Sequence, residues 1–111
     1  MVYDSQAVER FVEQSLLYDF YGDLLNEHQK KIYEAYVLEN LSYGEIAAEQ
    51  GISRQAAFDT VRRCSAALEG YEASLKLVEK FLLIRQMVEK IEASESLEEV
   101  KKLSAEILES L

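Results

Sequence analysis

The sequence predicts an all-α protein. Three observations carry the prediction. Hydrophobic residues recur at spacings of three and four along most of the chain. Among 111 residues there is no proline and there are four glycines, so helix breakers are scarce. Residues 42–69 have the layout of two helices joined by a tight turn. The hydrophobic fraction, 49%, supports a real core, and the length suits one domain or one domain plus an appended helical segment. The expected architecture is a unit of about four helices over residues 1–70, then a long helix and a short final helix over 71–111.

The first helix is expected over residues 5–21, with Val8, Phe11, Val12, Leu16, Phe20 and Leu17 on its buried side and Gly22 ending or bending it. Asn26 suits the cap of a second helix over 27–39, where Ile32, Tyr33, Tyr36 and Val37 recur at helical spacing. Glu39, Asn40 and Leu41 form a short linker into Ser42.

The next segment is the most informative. Ser42 with Glu45 three positions on reads as a capping box. Ile46 and Ala47 then face inward. Gly51 falls where the chain must turn sharply, with the positive φ that glycine adopts at least cost. Ile52 plugs the angle between the two helices, and Ser53 caps the second. In that second helix Ala57, Val61, Cys64 and Leu68 form a buried stripe. The whole is a helix-turn-helix, whose second helix commonly enters a nucleic-acid groove.

The candidate contact residues are Ser53, Arg54, Gln55, Phe58, Arg62 and Arg63. Arg54 and Gln55 stand at the end of the helix that touches base edges in this motif. Arginine pairs bidentately with guanine and glutamine with adenine. Arg62 and Arg63 suit phosphates. The competing reading makes Arg54 and Gln55 ordinary solvated first-turn residues. Phe58 has three uses open to it: stacking on a base, packing on a neighbouring helix, or meeting a partner. Packing is the commoner fate of a lone surface aromatic.

Gly70 is expected to separate this helix from the second section. From Tyr71, Leu75, Val78 and Leu82 make one apolar strip, and Phe81, Ile84, Val88 and Ile91 make another beside it. Residues 94–96 are a break, and Ser96 with Glu99 reads as a further capping box. A last helix over 97–111 carries Leu97, Val100, Leu103, Ile107, Leu108 and Leu111. The 71–111 section either folds as a helical hairpin or pairs with a second chain, so a homodimer is an open expectation.

Charge opposes the motif. The net charge is −9. Residues 1–40 carry eight acids and three bases, residues 41–70 four and three, and residues 71–111 nine and six. Nucleic-acid binders ordinarily present a basic patch. Binding here rests on Arg54, Arg62 and Arg63, with Lys30 and Lys31 as reserves, and few phosphate contacts give weak non-specific affinity. The same acidity argues against an anionic membrane surface as partner.

Much chemistry is excluded too. His28 is the one histidine, so no His pair or multi-His metal site can form. There is no Cys-x-x-Cys spacing, phosphate-binding glycine loop or nucleotide motif. Adjacent carboxylates such as Glu98 and Glu99 diverge on a helix and sit beside Lys101 and Lys102. No catalytic residue, metal or cofactor is therefore expected, and no enzyme. Cys64 lies on the buried stripe and reads as a small apolar residue in a reducing cytoplasm. No secretory signal and no run of about 20 apolar residues is visible. The early aromatics Tyr18, Phe20, Tyr21, Tyr33, Tyr36 and Tyr43 read as core with hydroxyls at the surface rather than as stacking platforms, since Asp19 and Asp23 beside them repel phosphate.

Several segments together carry a family resemblance. They are Asp19-Phe20-Tyr21-Gly22-Asp23-Leu24-Leu25, Gln29, Tyr36, Leu41-Ser42-Tyr43-Gly44-Glu45-Ile46-Ala47, Ser53-Arg54-Gln55-Ala56, and Leu68-Glu69-Gly70-Tyr71-Glu72. In combination they resemble the YlxM family of small bacterial helix-turn-helix proteins, over about residues 8–91. The motif alone is also similar to region four of primary bacterial sigma factors. The family resemblance implies an all-α fold and a regulatory role. Through gene neighbourhood, it implies a link to the signal recognition particle and its GTPase. It carries Ser53, Arg54 and Gln55 over as candidate contacts. The implied partners are duplex DNA or the particle's RNA, or alternatively the GTPase itself with the protein as adaptor. The tail after about residue 92 receives no role from it.

Overall fold

The computed structural model describes the backbone of residues 5–111 and the side chains from residue 9 onwards. The described residues form α1 (Ser5–Tyr21), α2 (Glu27–Val37), α3 (Tyr43–Gln50), α4 (Arg54–Leu75), α5 (Leu77–Ala93) and α6 (Leu97–Ser110). They divide into two compact units, one up to Leu75 and one from Lys76 to Leu111.

In the first unit α4 is the central element, and α1, α2 and α3 all pack on it. Its stripe of Ala57, Val61, Cys64 and Leu68 is buried. Against that stripe lie Ile32, Tyr33, Ala35 and Val37 of α2, Ile46 and Ala47 of α3, and Leu17 and Tyr21 of α1. Burying an aliphatic side chain of this size contributes about 1.5–3 kcal/mol, so this stripe holds the unit together. The Cys64 thiol is fully buried, and burial pushes its pKa up, which keeps it unreactive.

Polar groups close the helix ends. Asn26 accepts from the Gln29 backbone at 2.8 Å, and the Gln29 side chain accepts in return from the Asn26 N–H at 3.1 Å. At the other end of α2, Asn40 takes φ 55°, and the Leu41 N–H donates to the Ala35 carbonyl at 3.0 Å. Asparagine tolerates this left-handed conformation better than most residues, so it ends the helix where no glycine is present. Three tyrosine hydroxyls bridge helices. Tyr18 donates to Glu34, Tyr21 donates to Glu72 at 2.6 Å, and Tyr33 shares a hydrogen bond with Ser65 at 3.2 Å. Tyr21 and Tyr33 are core as expected and Tyr18 is half-buried, but their hydroxyls tie helices together instead of only reaching the surface.

Four expectations need correction. On α1, Phe11 and Val12 are exposed at 45% and 51%, Phe20 is exposed too, and Leu16 is half-buried; the inner face is Leu17 and Tyr21. Phe11, with Arg10 and Gln14, borders an open cavity beside Tyr36, and Val8 lies outside the residues whose side chains are described. The second helix stops at Val37, short of residue 39, because the Asn40 turn takes over. Gly70 does not end the recognition helix. It sits inside α4, which runs on to Leu75. The interruption comes at Lys76, with φ 54°, so residues 71–75 extend α4 and do not begin α5.

In the second unit α5 and α6 pack on each other as a hairpin. Val78, Met87 and Leu103 are buried, and Ile84, Ile91, Val100 and Ile107 are half-buried. Leu82, Leu83 and Val88 stay exposed, as do Leu97, Leu108 and Leu111. The expected capping box is only half formed. Ser96 Oγ accepts from the Glu99 N–H at 3.3 Å, but the Glu99 carboxylate accepts from Ser94 Oγ at 3.1 Å. Ser94 Oγ in turn accepts the Ser96 N–H at 3.1 Å, so Ser94 relays the contact.

Candidate nucleic-acid interface

The candidate interface is built from α3, the turn and the first three turns of α4. Ser42 caps α3 and the Glu45 side chain returns the bond, both at 3.1 Å. Gly51 takes φ 65° and ψ 35°, and the Ile52 N–H donates back to the Ala47 carbonyl at 3.1 Å. Ser53 Oγ accepts from the Ala56 N–H at 3.0 Å and so starts α4. Ser53 is thus a cap, which fixes where Arg54 and Gln55 stand.

Arg54, Gln55, Arg62 and Arg63 are all exposed. Among the described residues no carboxylate is ion-paired to any of these arginines. Lys30 differs: its ammonium is held by Asp23 at 2.9 Å and is no longer a free reserve for phosphate. The Gln55 amide nitrogen donates to Asp59 at 3.0 Å. This fixes the side chain and leaves its carbonyl oxygen and one N–H for a ligand. This contact was not anticipated from the sequence, although Gln55 and Asp59 stand at the i, i+4 spacing that pairs side chains on a helix.

Phe58 packs, as favoured, and is also open. Its ring meets Tyr43 edge-to-face, with centroids 5.2 Å apart at 87°, yet 37% of the residue is exposed. Tyr43 in turn stacks on Tyr36 at 5.8 Å and 5°. Tyr43, Arg54, Gln55 and Phe58 line an open cavity of about 590 Å³. Further along α4, Asp59, Arg62, Arg63 and Ala66 line a second of about 350 Å³. The candidate residues therefore fall into two groups: a polar and aromatic one at the helix start, and a cationic one beyond it.

The arrangement of cap, glycine turn and long second helix is that of a helix-turn-helix. The family described as UPF0122, "Putative helix-turn-helix protein, YlxM / p13 like", matches residues 8–107. The chain belongs to this family. The match extends past residue 91 into α6, further than the motif segments alone reach. Among the UPF0122 relatives, the Bacillus velezensis protein is 40% identical over 108 residues, covering 95% of this chain and 98% of its own. The Shouchella clausii protein is 43% identical over 81 residues, covering 73% and 74%. The Caldanaerobacter subterraneus subsp. tengcongensis protein is 44% identical over 81 residues, covering 73% and 69%.

Among the described residues no group of three or more His, Cys, Asp or Glu could hold a metal ion. None of the described helices is long and apolar enough to cross a membrane.

Proposed function

We propose that this UPF0122 protein is a cytoplasmic nucleic-acid-binding regulator of the signal recognition particle pathway and has no catalytic role. One observation carries the reading. The capped start of α4 holds Arg54 and Gln55 in the open, and Arg62 and Arg63 follow on the same helix without ion-pair partners among the described residues. Ser53, Arg54, Gln55 and Phe58 form the contact end, and Arg62 and Arg63 approach phosphates. Duplex DNA and the particle's RNA are the two ligands to compare.

The substitutions separate these roles. Arg54→Ala is expected to cost about 1–3 kcal/mol and to relax base preference at one position. Arg62→Ala is expected to weaken all sequences alike and to lower the salt slope by about 1. Fluorescence anisotropy over a salt series checks both. If neither substitution changes binding to DNA or RNA, the reading fails.

A second reading makes the protein an adaptor for the particle's GTPase. The acidic flanks favour it through complementarity to a basic partner. It predicts that both arginine variants still capture the GTPase, and that neutralising Glu13, Asp19 or Glu79 weakens capture. The exposed Leu82, Leu83, Val88, Leu108 and Leu111 further support pairing of two copies through the α5–α6 unit.

A further inference from the structure

The cavity at the start of α4 has a composition that groove docking alone does not explain. A side chain that only reads base edges in a groove needs no aromatic floor. Here Phe58 and Tyr43 supply ring surface beside Arg54 and Gln55. We infer that this cavity is a site for one unpaired nucleobase of a nucleic-acid strand, an inference that rests on the nucleic-acid reading above.

Three features support the inference. First, the aromatic wall is fixed before any ligand arrives. Ring contacts run from Tyr18 to Tyr33 at 5.8 Å, to Tyr36 at 6.1 Å, to Tyr43 at 5.8 Å and to Phe58 at 5.2 Å. They draw one ring after another from α1, α2, α3 and α4, so little side-chain freedom remains to be lost on binding. Phe58 ends the series and is 37% exposed. Second, the volume of about 590 Å³ lies within the usual range for small-molecule pockets, about 300–1,000 Å³. Third, the charge is insufficient without it. Arg54, Arg62 and Arg63 can neutralise about three phosphates, which gives little affinity by counterion release. Stacking supplies binding that phosphate contacts here do not.

The polar rim sets the base. Asp59 holds the Gln55 amide through one N–H at 3.0 Å and leaves a donor and an acceptor side by side. That pair matches the N6 and N7 edge of adenine. The Arg54 guanidinium is placed to stack on the base or to meet its phosphate. In A-form RNA the paired bases are out of side-chain reach in the major groove, whereas a bulged base is free to enter such a cavity.

The test compares a labelled RNA hairpin carrying one unpaired adenosine with the same hairpin fully paired, and repeats both as DNA. Anisotropy titrations are run with the wild type, Phe58→Leu, Phe58→Tyr, Gln55→Leu and Arg54→Ala, with helicity checked by circular dichroism. The bulged hairpin is expected to bind more tightly than the paired one. Phe58→Leu should weaken the bulged complex about 5- to 150-fold and erase most of its advantage over the paired one, while Phe58→Tyr restores that advantage. Gln55→Leu alters an exposed side chain, and it should remove the preference for bulged adenosine over bulged uridine even where Phe58→Leu proves unstable. The RNA and DNA arms assign the strand type. Equal wild-type binding to bulged and paired hairpins, still weakened by Arg54→Ala, overturns the base site and leaves the groove reading standing. No binding to any probe overturns both.

Discussion

At the scale of single residues, Gly51 and Asn40 do similar work with different legibility. Gly51 at φ 65° has nothing within 4 Å of where a Cβ would sit. The cost of Gly51→Ala is therefore conformational, about 1–2 kcal/mol, and chemical denaturation should read a loss of that size. The glycine stood in a recognisable turn and was legible. Asn40 was read as linker, because an asparagine between two helices carries no unique signal. The place of the candidate residues on α4 was legible through Ser53, which caps that helix. The Gln55–Asp59 bond was missed, although its spacing could have suggested it. The tyrosines give a pH dependence. Burial first, and then the Glu34 carboxylate, raise the Tyr18 phenol above its ordinary 10.0. Burial is also the leading cause for Tyr33 and Tyr43. The unfolded chain therefore loses these protons at lower pH than the folded one. Their stabilisation is complete below about pH 10 and declines as pH rises toward the folded-state values. Thermal melts between about pH 9 and 11 should show this decline, and Tyr18→Phe should make it shallower.

At the scale of elements, capping signals located helix starts well and helix ends poorly. Asn26, Ser42 and Ser53 all cap where the sequence placed them. Gly70 misled because glycine is common at helix ends, whereas here the helix continues through it. The physical consequence can be tested. Gly70 has no contact within 4 Å at its Cβ position and no positive φ. Gly70→Ala should therefore stabilise the protein by about 0.5–1 kcal/mol. A destabilisation of similar size would mean that α4 ends there. Lys76 could not be found from sequence, since lysine is an ordinary helix former and its left-handed φ has no composition signal. Periodicity identified α1 and α5 as amphipathic, but spacing alone does not say which apolar residues face inward. That depends on the partners, so spacing puts Phe11 and Val12 inside beside Leu17, and it sets Val88 on an apolar strip without singling out Met87.

At the scale of the whole molecule, the absence of breakers made the all-α class readable, and the coordinated motif segments made the family readable. Charge was equally plain, and it constrains function more than fold: under the proposed function, with a net charge of −9, affinity for a nucleic acid has to come from a few well-placed groups. The exposed leucines of α5 and α6, Leu108 at 72% and Leu111 at 75% among them, support the proposed homodimer. Sedimentation velocity at micromolar concentration should show a species of twice 12.7 kDa, and a monomer alone would contradict the pairing.

The most direct measurement is a titration of the isotope-labelled protein with the signal recognition particle's RNA, and separately with random duplex DNA, followed by amide chemical shifts. Shifts concentrated at Tyr43 and between Ser53 and Arg63 are the expected result. Shifts confined to α5 and α6, or none with either ligand, would contradict the assignment of α4 as a nucleic-acid-binding helix.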